Sequence, residues 1–419
     1  MSRINTVHEA AAWRLCIGCG ACAVACPGHR IRLHDVETDG IRPVLSGTEC
    51  DFCGECLKVC PGVETAHASG ERLGAVSELG EGFGPVLELW EGHAADKDIR
   101  YRGSSGGLTS ALALYCLEKE GMHAVVHTGT DEAIPWMNRT VLSRTREELL
   151  TRTGSRYSPA SPCNGLDRME SAPAQCVFVG KPCDVVGARK SADCRPGLAR
   201  RMGIFIAFFC AGTPSTQGLL DLLRSIHANP EEVRSIRFRG NGWPGMFTVT
   251  FKEESRPPRT ITYMDSWGFL QKYRPYRCHL CPDGTGEFAD LSCGDPWYRG
   301  IPENEPGYSL VLVRTERGRA ILRGAIESGY VILRPVEPWV LKESQKNLLG
   351  KRQAVWGRLL AMRLLGVPTP KLRGFSLYTN WRRLNLEEKL KSTLGTARRV
   401  IQRGYYRKGS IPVPASPQA

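Results

Sequence analysis

From Val86 onward the apolar positions follow two alternating rhythms. Short runs at Val86 to Trp90, Ala124 to His127, Cys176 to Val179, Ile204 to Phe209 and Leu310 to Arg314 have the length and the branched or aromatic content of strands. Between them, helix-spaced apolar positions predict an amphipathic helix over Gly106 to Glu120 and further helices over Asp184 to Arg189, Thr216 to Ile226 and Gly318 to Glu327. Val233 to Arg239, Phe247 to Phe251 and Thr260 to Met264 read as antiparallel strands. This alternation predicts an α/β domain with a largely parallel or mixed sheet.

The flanks differ from this body. IRLHDVETDGIRPVL turns at Asp39-Gly40 and predicts a short hairpin, and Ala66 to Pro85, rich in Gly, Glu and Ser, reads as a linker. Near the end, Gln353 to Leu365 is an apolar helical segment. Phe375 to Tyr406 then combines Trp381, Leu384, Leu386, Leu390 and Leu394 with several arginines, the pattern of a basic amphipathic helix. Four regions follow: 1–65, a linker at 66–85, a body at 86–336 and a helical extension at 337–419.

The formal charge of +13 changes the picture only through its placement. Residues 341–419 hold 17 Lys plus Arg against 3 Asp plus Glu, so the excess belongs to the extension and leaves the body near neutral. The tail has no recognisable base-reading motif, which argues against nucleic acid as a partner. It leaves room for peripheral contact with an anionic membrane or with an acidic protein such as a ferredoxin. Without an export signal or an apolar run of spanning length, the chain reads as cytoplasmic, at most peripheral at the inner membrane face.

The cysteines carry the chemistry. Cys16, Cys19, Cys22 and Cys26 precede Pro27, and Cys50, Cys53, Cys56 and Cys60 precede Pro61. Each run is C-x2-C-x2-C-x3-C-P, the bacterial ferredoxin spacing in which three thiolates hold one 4Fe-4S cubane and the fourth holds the other. The expected sets are Cys16, Cys19, Cys22 and Cys60 for one cluster, and Cys50, Cys53, Cys56 and Cys26 for the second. Zinc does not require this spacing twice over.

In the body, Cys278 and Cys281 form a C-x2-C pair that needs two further ligands. Cys183 and Cys210 follow predicted strands and would emerge at their carboxyl ends, where α/β proteins place sites, while Cys176 would lie at the opposite end. Cys116 reads as a core hydrophobe. Cys163, Cys194 and Cys293 stay unassigned, with Cys293 the best substitute ligand.

The stretches RGSSGGLTSALALYCLEKEG, GSRYSPASP, VFVGKPCDVVGARK, IFIAFFCAGTPS and CHLCPDGTGEFADLSCGD, in that order, resemble the coenzyme F420 hydrogenase/dehydrogenase beta subunit family, to which 7-hydroxymethyl chlorophyll a reductase is related. The resemblance implies FAD and a cubane cluster held by Cys183, Cys210, Cys278 and Cys281. Gly and Ser residues at a helix start can cradle phosphate, and the resemblance places FAD there, near Ser104, Ser105, Gly106, Gly107 and Thr109. Gly154, Ser155, Arg156 and Tyr157, then Lys181 with Arg189 and Lys190, are expected to complete the pocket. Asn241 and Trp243 lie on a loop that the resemblance brings near the flavin; Asp295 and Trp297 are similar candidates. No proton donor is singled out.

The implied architecture is α+β with α/β: a bacterial-type ferredoxin module, a mixed α/β flavin-binding domain and a basic helical tail. The implied activity is that of an iron–sulfur flavoprotein oxidoreductase, passing electrons between ferredoxin-type clusters and FAD with hydride transfer to or from a deazaflavin or another small organic substrate. The alternative is a non-catalytic electron-transfer subunit feeding a partner hydrogenase, dehydrogenase or reductase.

Overall fold

The computed structural model describes residues 4–46, 50–67, 76–301 and 305–412. Its body is an eight-stranded mixed sheet. Across the sheet the strands run Val331–Pro335, Glu88–Ala94, Ser309–Val313, Leu291–Gly294, Met202–Phe208, Cys176–Gly180, Val125–Thr130 and Asn138–Ser143. The four strands starting at Val125, Cys176, Met202 and Leu291 are mutually parallel, and the outer pairings are antiparallel. Parallel strands need cover on both faces, which is why Cys176–Gly180 is buried throughout.

One face is covered by the helices Leu108–Glu118 and Glu316–Glu327. The first is buried around most of its circumference, because a second helix packs over what the sequence presents as its outer side; it is therefore not an amphipathic surface helix. The other face is covered by Pro182–Cys194 and by part of the cysteine-rich region itself: Cys19, Ala21, Val24 and Val59 share a core with Phe178, Val185 and Phe205. The cysteine-rich region thus packs directly on the sheet. Gly187 permits this, since a Cβ there would stand 3.3 Å from both the Cys19 sulfur and the Ala21 methyl.

Within that region the strands Ile31–Val36 and Gly40–Leu45 form the expected hairpin, closed by the pair Val36 and Gly40. A second, three-stranded antiparallel sheet joins Arg259–Thr262, Met246–Phe251 and Val233–Arg237.

Four expectations change. Tyr263 and Met264 begin a helix, Tyr263–Leu270, instead of ending a strand, because the Thr262 hydroxyl accepts from the Asp265 amide and caps it. Residues 68–75 of the expected linker lie outside the described residues. Of the remainder, Ser77–Leu79 and Gly80–Phe83 are helical and bury Leu79 and Phe83 beside Val340 and Leu341. Phe375 to Tyr406 is two helices, Leu377–Arg382 and Leu386–Gln402, because Asn385 and Glu388 form a capping box that starts the second.

The tail, finally, is integral. Lys371–Arg373 pairs in parallel with Glu64–Ala66, and Phe375 is buried. Arg352 is also buried and forms an ion pair with Glu287. No helix among the described residues is long and apolar enough to cross a membrane.

Candidate functional site

The two cysteine runs fold as near copies. Gly20 and Gly54 each follow the second cysteine of a run, adopt left-handed φ of 89° and 81°, and start the short helices Ala21–Ala25 and Glu55–Lys58. Other residues resist that conformation, so glycine there turns the chain back toward its own cysteines. Cys22 neighbours Cys19, Cys16 and Cys60; burial, then those neighbours, pushes its thiol well above the ordinary range. Burial likewise raises Cys60, to about 12, with Cys19 and Cys16 adding to it. Cys56 is raised by burial and neighbours Cys50, Cys53 and Cys26. The eight thiols are free, and Cys22, Cys26, Cys56 and Cys60 from the two runs pack into one cluster with Val7 and Ile31. Such a soft donor set suits cubane clusters. No three His, Cys, Asp or Glu side chains among the described residues are grouped so as to hold a single metal ion.

A third group lies in the body. Cys183 is in the first turn of Pro182–Cys194, just past the strand Cys176–Gly180, and Cys210 follows the strand Met202–Phe208. Cys278 is on the short helix Tyr276–His279, with Cys281 just beyond it. All four line one cavity, together with Cys16 from the first run. Burial raises the Cys183 and Cys281 thiols, and raises Cys210 to about 11. Metal ligation requires such thiols to lose their protons, and four cations on the cavity wall favour that: Lys181, Arg42, Arg277 and Lys351, the last acting on Cys210 and Cys281. Lys181 is buried, ion-paired to Asp184 at 2.7 Å; burial works against its charge, and Asp184 more than offsets it. Arg42, from the hairpin, is 2% exposed and donates to Asp39 Oδ2 at 2.7 Å and Ile41 O at 2.8 Å. Its charge acts on Cys16 on one side and on Cys278 on the other. This donor set also fits a cubane cluster.

The glycine-rich segments converge at the same end of the sheet. Strand directions place the carboxyl ends of Cys176–Gly180, Met202–Phe208, Leu291–Gly294 and Glu88–Ala94 together, with the start of Ser309–Val313. From the Met202 strand to the Glu88 strand is three strand steps, about 14 Å. There the Ser155 amide donates to Ser104 Oγ at 2.6 Å, and Gly154 lies against Arg237 and the Arg239 carbonyl. Gly107, at φ 75°, caps the helix Leu108–Glu118. Asn241 stands at φ 61° on the neighbouring loop. Behind that loop Arg239 donates through both terminal nitrogens to Asp295, at 2.9 and 2.7 Å, and Trp243 Nε1 donates to the same carboxylate at 2.8 Å. Tyr157, Tyr263, Trp243 and Trp297 pack around this pair.

Several expected flavin contacts are committed elsewhere. Ser105 donates to the Tyr308 carbonyl, and the Gly106 amide donates to Ser309 Oγ at 2.7 Å, so both serve chain packing. Thr109 meets the Cys293 thiol inside the helix-side core, which takes Cys293 out of the body thiol group as well. Arg156 is held by Asn138 and the carbonyls of Pro135 and Met137; burial lowers its guanidinium to about 10. Lys181 faces the thiol cavity. Arg189 holds the Phe288 carbonyl and Asp290, and Lys190 holds the Glu64 and Cys60 carbonyls. Ser104, Gly107, Gly154 and Ser155 are the expected flavin residues that stay together, the Ser155 amide bonded to Ser104.

Two residues near the thiols escape sequence reasoning. Arg42 is one, since nothing in a hairpin strand announces a buried cation. Cys163 is the other: its thiol donates to the Asp184 carbonyl at 3.2 Å, its amide donates to the Cys19 carbonyl at 3.0 Å, and its sulfur packs with that of Cys19 against Gly187. A lone cysteine in a loop gives no signal of such a contact.

Residues 174–338 match the family model for the carboxy-terminal part of the coenzyme F420 hydrogenase/dehydrogenase beta subunit, and residues 89–166 match the model for its amino-terminal part. Together they span more than half of the chain. Residues 15–62 match a 4Fe-4S dicluster domain. The coenzyme F420 hydrogenase subunit beta of Methanococcus voltae is 27% identical over 298 residues, covering 69% of this chain and 99% of the relative. The beta subunit of the F420-dependent formate dehydrogenase 1 of Methanococcus maripaludis is 24% identical, covering 60% and 62%. Among solved structures, a chain of the F420-reducing NiFe hydrogenase complex from Methanosarcina barkeri superposes with a TM-score of 0.52 at 22% identity, over 69% of this chain and 96% of that one, which shows a shared fold. With both halves of the family's sequence present in order behind a 4Fe-4S dicluster domain, the chain belongs to the coenzyme F420 hydrogenase/dehydrogenase beta subunit family.

Proposed function

We propose that this chain is an iron–sulfur, FAD-binding electron-transfer subunit that works with a partner redox protein and a deazaflavin or similar small organic substrate. The observation that carries this reading is the shared cavity, where Cys16 of the first cysteine run meets Cys183, Cys210, Cys278 and Cys281 of the body. It supports a continuous route: Cys50, Cys53, Cys56 and Cys26 outermost, then Cys16, Cys19, Cys22 and Cys60, then the body group. The glycine-rich segments lie at the same sheet end.

Ser104, Gly107, Gly154 and Ser155 would hold the flavin phosphates, with Tyr157 and Asn241 flanking. Bound there, FAD would exchange single electrons with clusters and electron pairs with an organic substrate. The chain's own residues then have distinct tasks. Arg239 and Asp295 fix the loop 240–245 against the sheet. Lys181, Arg42, Arg277 and Lys351 hold positive charge at the body thiols. The relatives are named as subunits of hydrogenases and formate dehydrogenases, which supports a subunit with a partner over a self-sufficient reductase.

The test is anaerobic reconstitution followed by iron and flavin counting and an assay of deazaflavin reduction by a reduced dye. About twelve irons are expected with flavin bound, from three cubanes. About four irons, or no flavin retained, overturns the reading.

A further inference from the structure

The helix Leu386–Gln402 is packed inside out. The side chains it buries are small, Ser392, Thr396 and Val400, and they lie against the helix Val355–Leu364. Gly357 makes the approach close, since a Cβ there would meet Ser392 Oγ. Its large apolar side chains face away: Leu386 is 73% exposed, Leu390 47%, Leu394 63% and Ile401 57%. Spaced by four, four and seven, they fall within one arc of the helix and form a stripe about 24 Å long. Helix burial in a water-soluble protein runs the other way, so this stripe needs a cover of its own.

The surrounding charge says what kind. From Leu386 to Lys408 there are seven Lys plus Arg and two Glu. Lys391 and Arg398 are exposed along one border of the stripe, and Arg403, Arg407 and Lys408 are exposed beyond its end. Glu387 is paired with Lys391, Lys408 with Glu9, and Glu388 is used in the capping box, so Arg398, Arg403 and Arg407 carry the net positive charge of this margin. The stripe lies on a single convex helix with a cationic margin, which suits a flat anionic boundary. Tyr406, 44% exposed, follows the helix as an amphipathic ring of the sort found at lipid headgroups. The family match ends at residue 338, so this surface stands apart from the cluster and flavin reading.

We infer that Leu386–Gln402 lies in the surface of an anionic bilayer, its leucines and Ile401 among the acyl chains and its Lys and Arg at the headgroups. The protein would then sit on the membrane by one edge, with no spanning helix among the described residues.

Flotation of the full reconstituted chain tests this. Vesicles of phosphatidylcholine alone are compared with equal parts phosphatidylcholine and phosphatidylglycerol. The expected result is flotation with the anionic vesicles and release by high salt. The double variant Leu390→Ser with Leu394→Ser should lose flotation, while Lys391→Gln with Arg398→Gln should weaken it by at least about tenfold. All four positions are exposed or flank the stripe, so iron and flavin counts should equal those of the parent chain and show that the variants fold. Equal flotation with neutral vesicles, or flotation undiminished by the double Ser variant, overturns the inference. So does a lack of flotation accompanied by a dimer that the Ser variant dissolves, which would assign the stripe to a second copy.

Discussion

Removing the charge of Arg352 should damage the body thiol site from a distance. Glu287 is buried, with 1% of its side chain exposed, and its carboxylate meets Arg352 on one side and His67 Nε2, at 2.8 Å, on the other. Arg352 also donates to the carbonyls of Pro282 at 3.3 Å and Phe375 at 2.8 Å, so one guanidinium ties the tail to the residue after Cys281. Burial pushes the Glu287 carboxyl up; Arg352 and then His67 outweigh it and leave it below the ordinary carboxylate value. Arg352→Met keeps the bulk and strands the carboxylate. Breaking a buried pair this way costs about 3–5 kcal/mol. At roughly 2 °C per kcal/mol for a body of this size, the unfolding midpoint at neutral pH should fall by about 6–10 °C.

The sign with pH follows from the depressed carboxyl. Its stabilisation is present above the unfolded glutamate value and disappears as pH falls through the lower folded value. In the variant Arg352's share of that benefit is gone and only His67 still holds the carboxylate, so the gap to the parent protein should narrow in acid. Thermal unfolding of the anaerobic reconstituted protein, followed by circular dichroism and visible absorbance across pH, measures both. The double variant Glu287→Gln with Arg352→Met should recover part of the loss. A midpoint within about 2 °C of the parent at neutral pH would refute the argument.

Three other outcomes follow from the thiol geometry. Cys26→Ser should remove the cluster of Cys50, Cys53 and Cys56, lowering iron from about twelve to about eight while the Cys16, Cys19, Cys22 and Cys60 signal persists in electron paramagnetic resonance; loss of the latter signal instead would reverse the assignment of Cys26. Arg42→Gln withdraws positive charge from beside Cys16 and Cys278, so reduction on both sides should become harder by about tenfold, or about 59 mV for one electron; unchanged midpoints in a redox titration would count against it. Cys163→Ala removes a sulfur packed beside Cys19 whose proton is held by the Asp184 carbonyl, so iron content should stay at about twelve, whereas a loss of about four irons would make Cys163 a cluster ligand.

Local spacing made part of this legible. The doubled cysteine run, the Asp39-Gly40 hairpin and the strands that present Cys183 and Cys210 are each set by neighbours within a few residues, so the pattern holds their geometry. Contacts between distant segments have no such imprint. Lys181 reads as a basic residue before a helix, and only the fold shows it buried on Asp184 at the thiol cavity. Arg156 and Thr109 sit in promising motifs, but tertiary packing consumes their polar atoms. Periodicity showed that Leu386–Gln402 has an apolar side without saying which way that side points. The small inward residues and Gly357 decide that, through a partner helix some thirty residues earlier.

The parallel pairing of Glu64–Ala66 with Lys371–Arg373 also sets an order of assembly. The strand that follows the second cysteine run waits for a partner made roughly 300 residues later, about 15–60 s of synthesis at ordinary elongation rates. A nascent chain therefore carries the cysteine-rich region with an open edge until Lys371–Arg373 has left the ribosome. A chain cut short before Lys371 keeps all twelve of the proposed ligand cysteines and still lacks the strand that pairs with Glu64–Ala66.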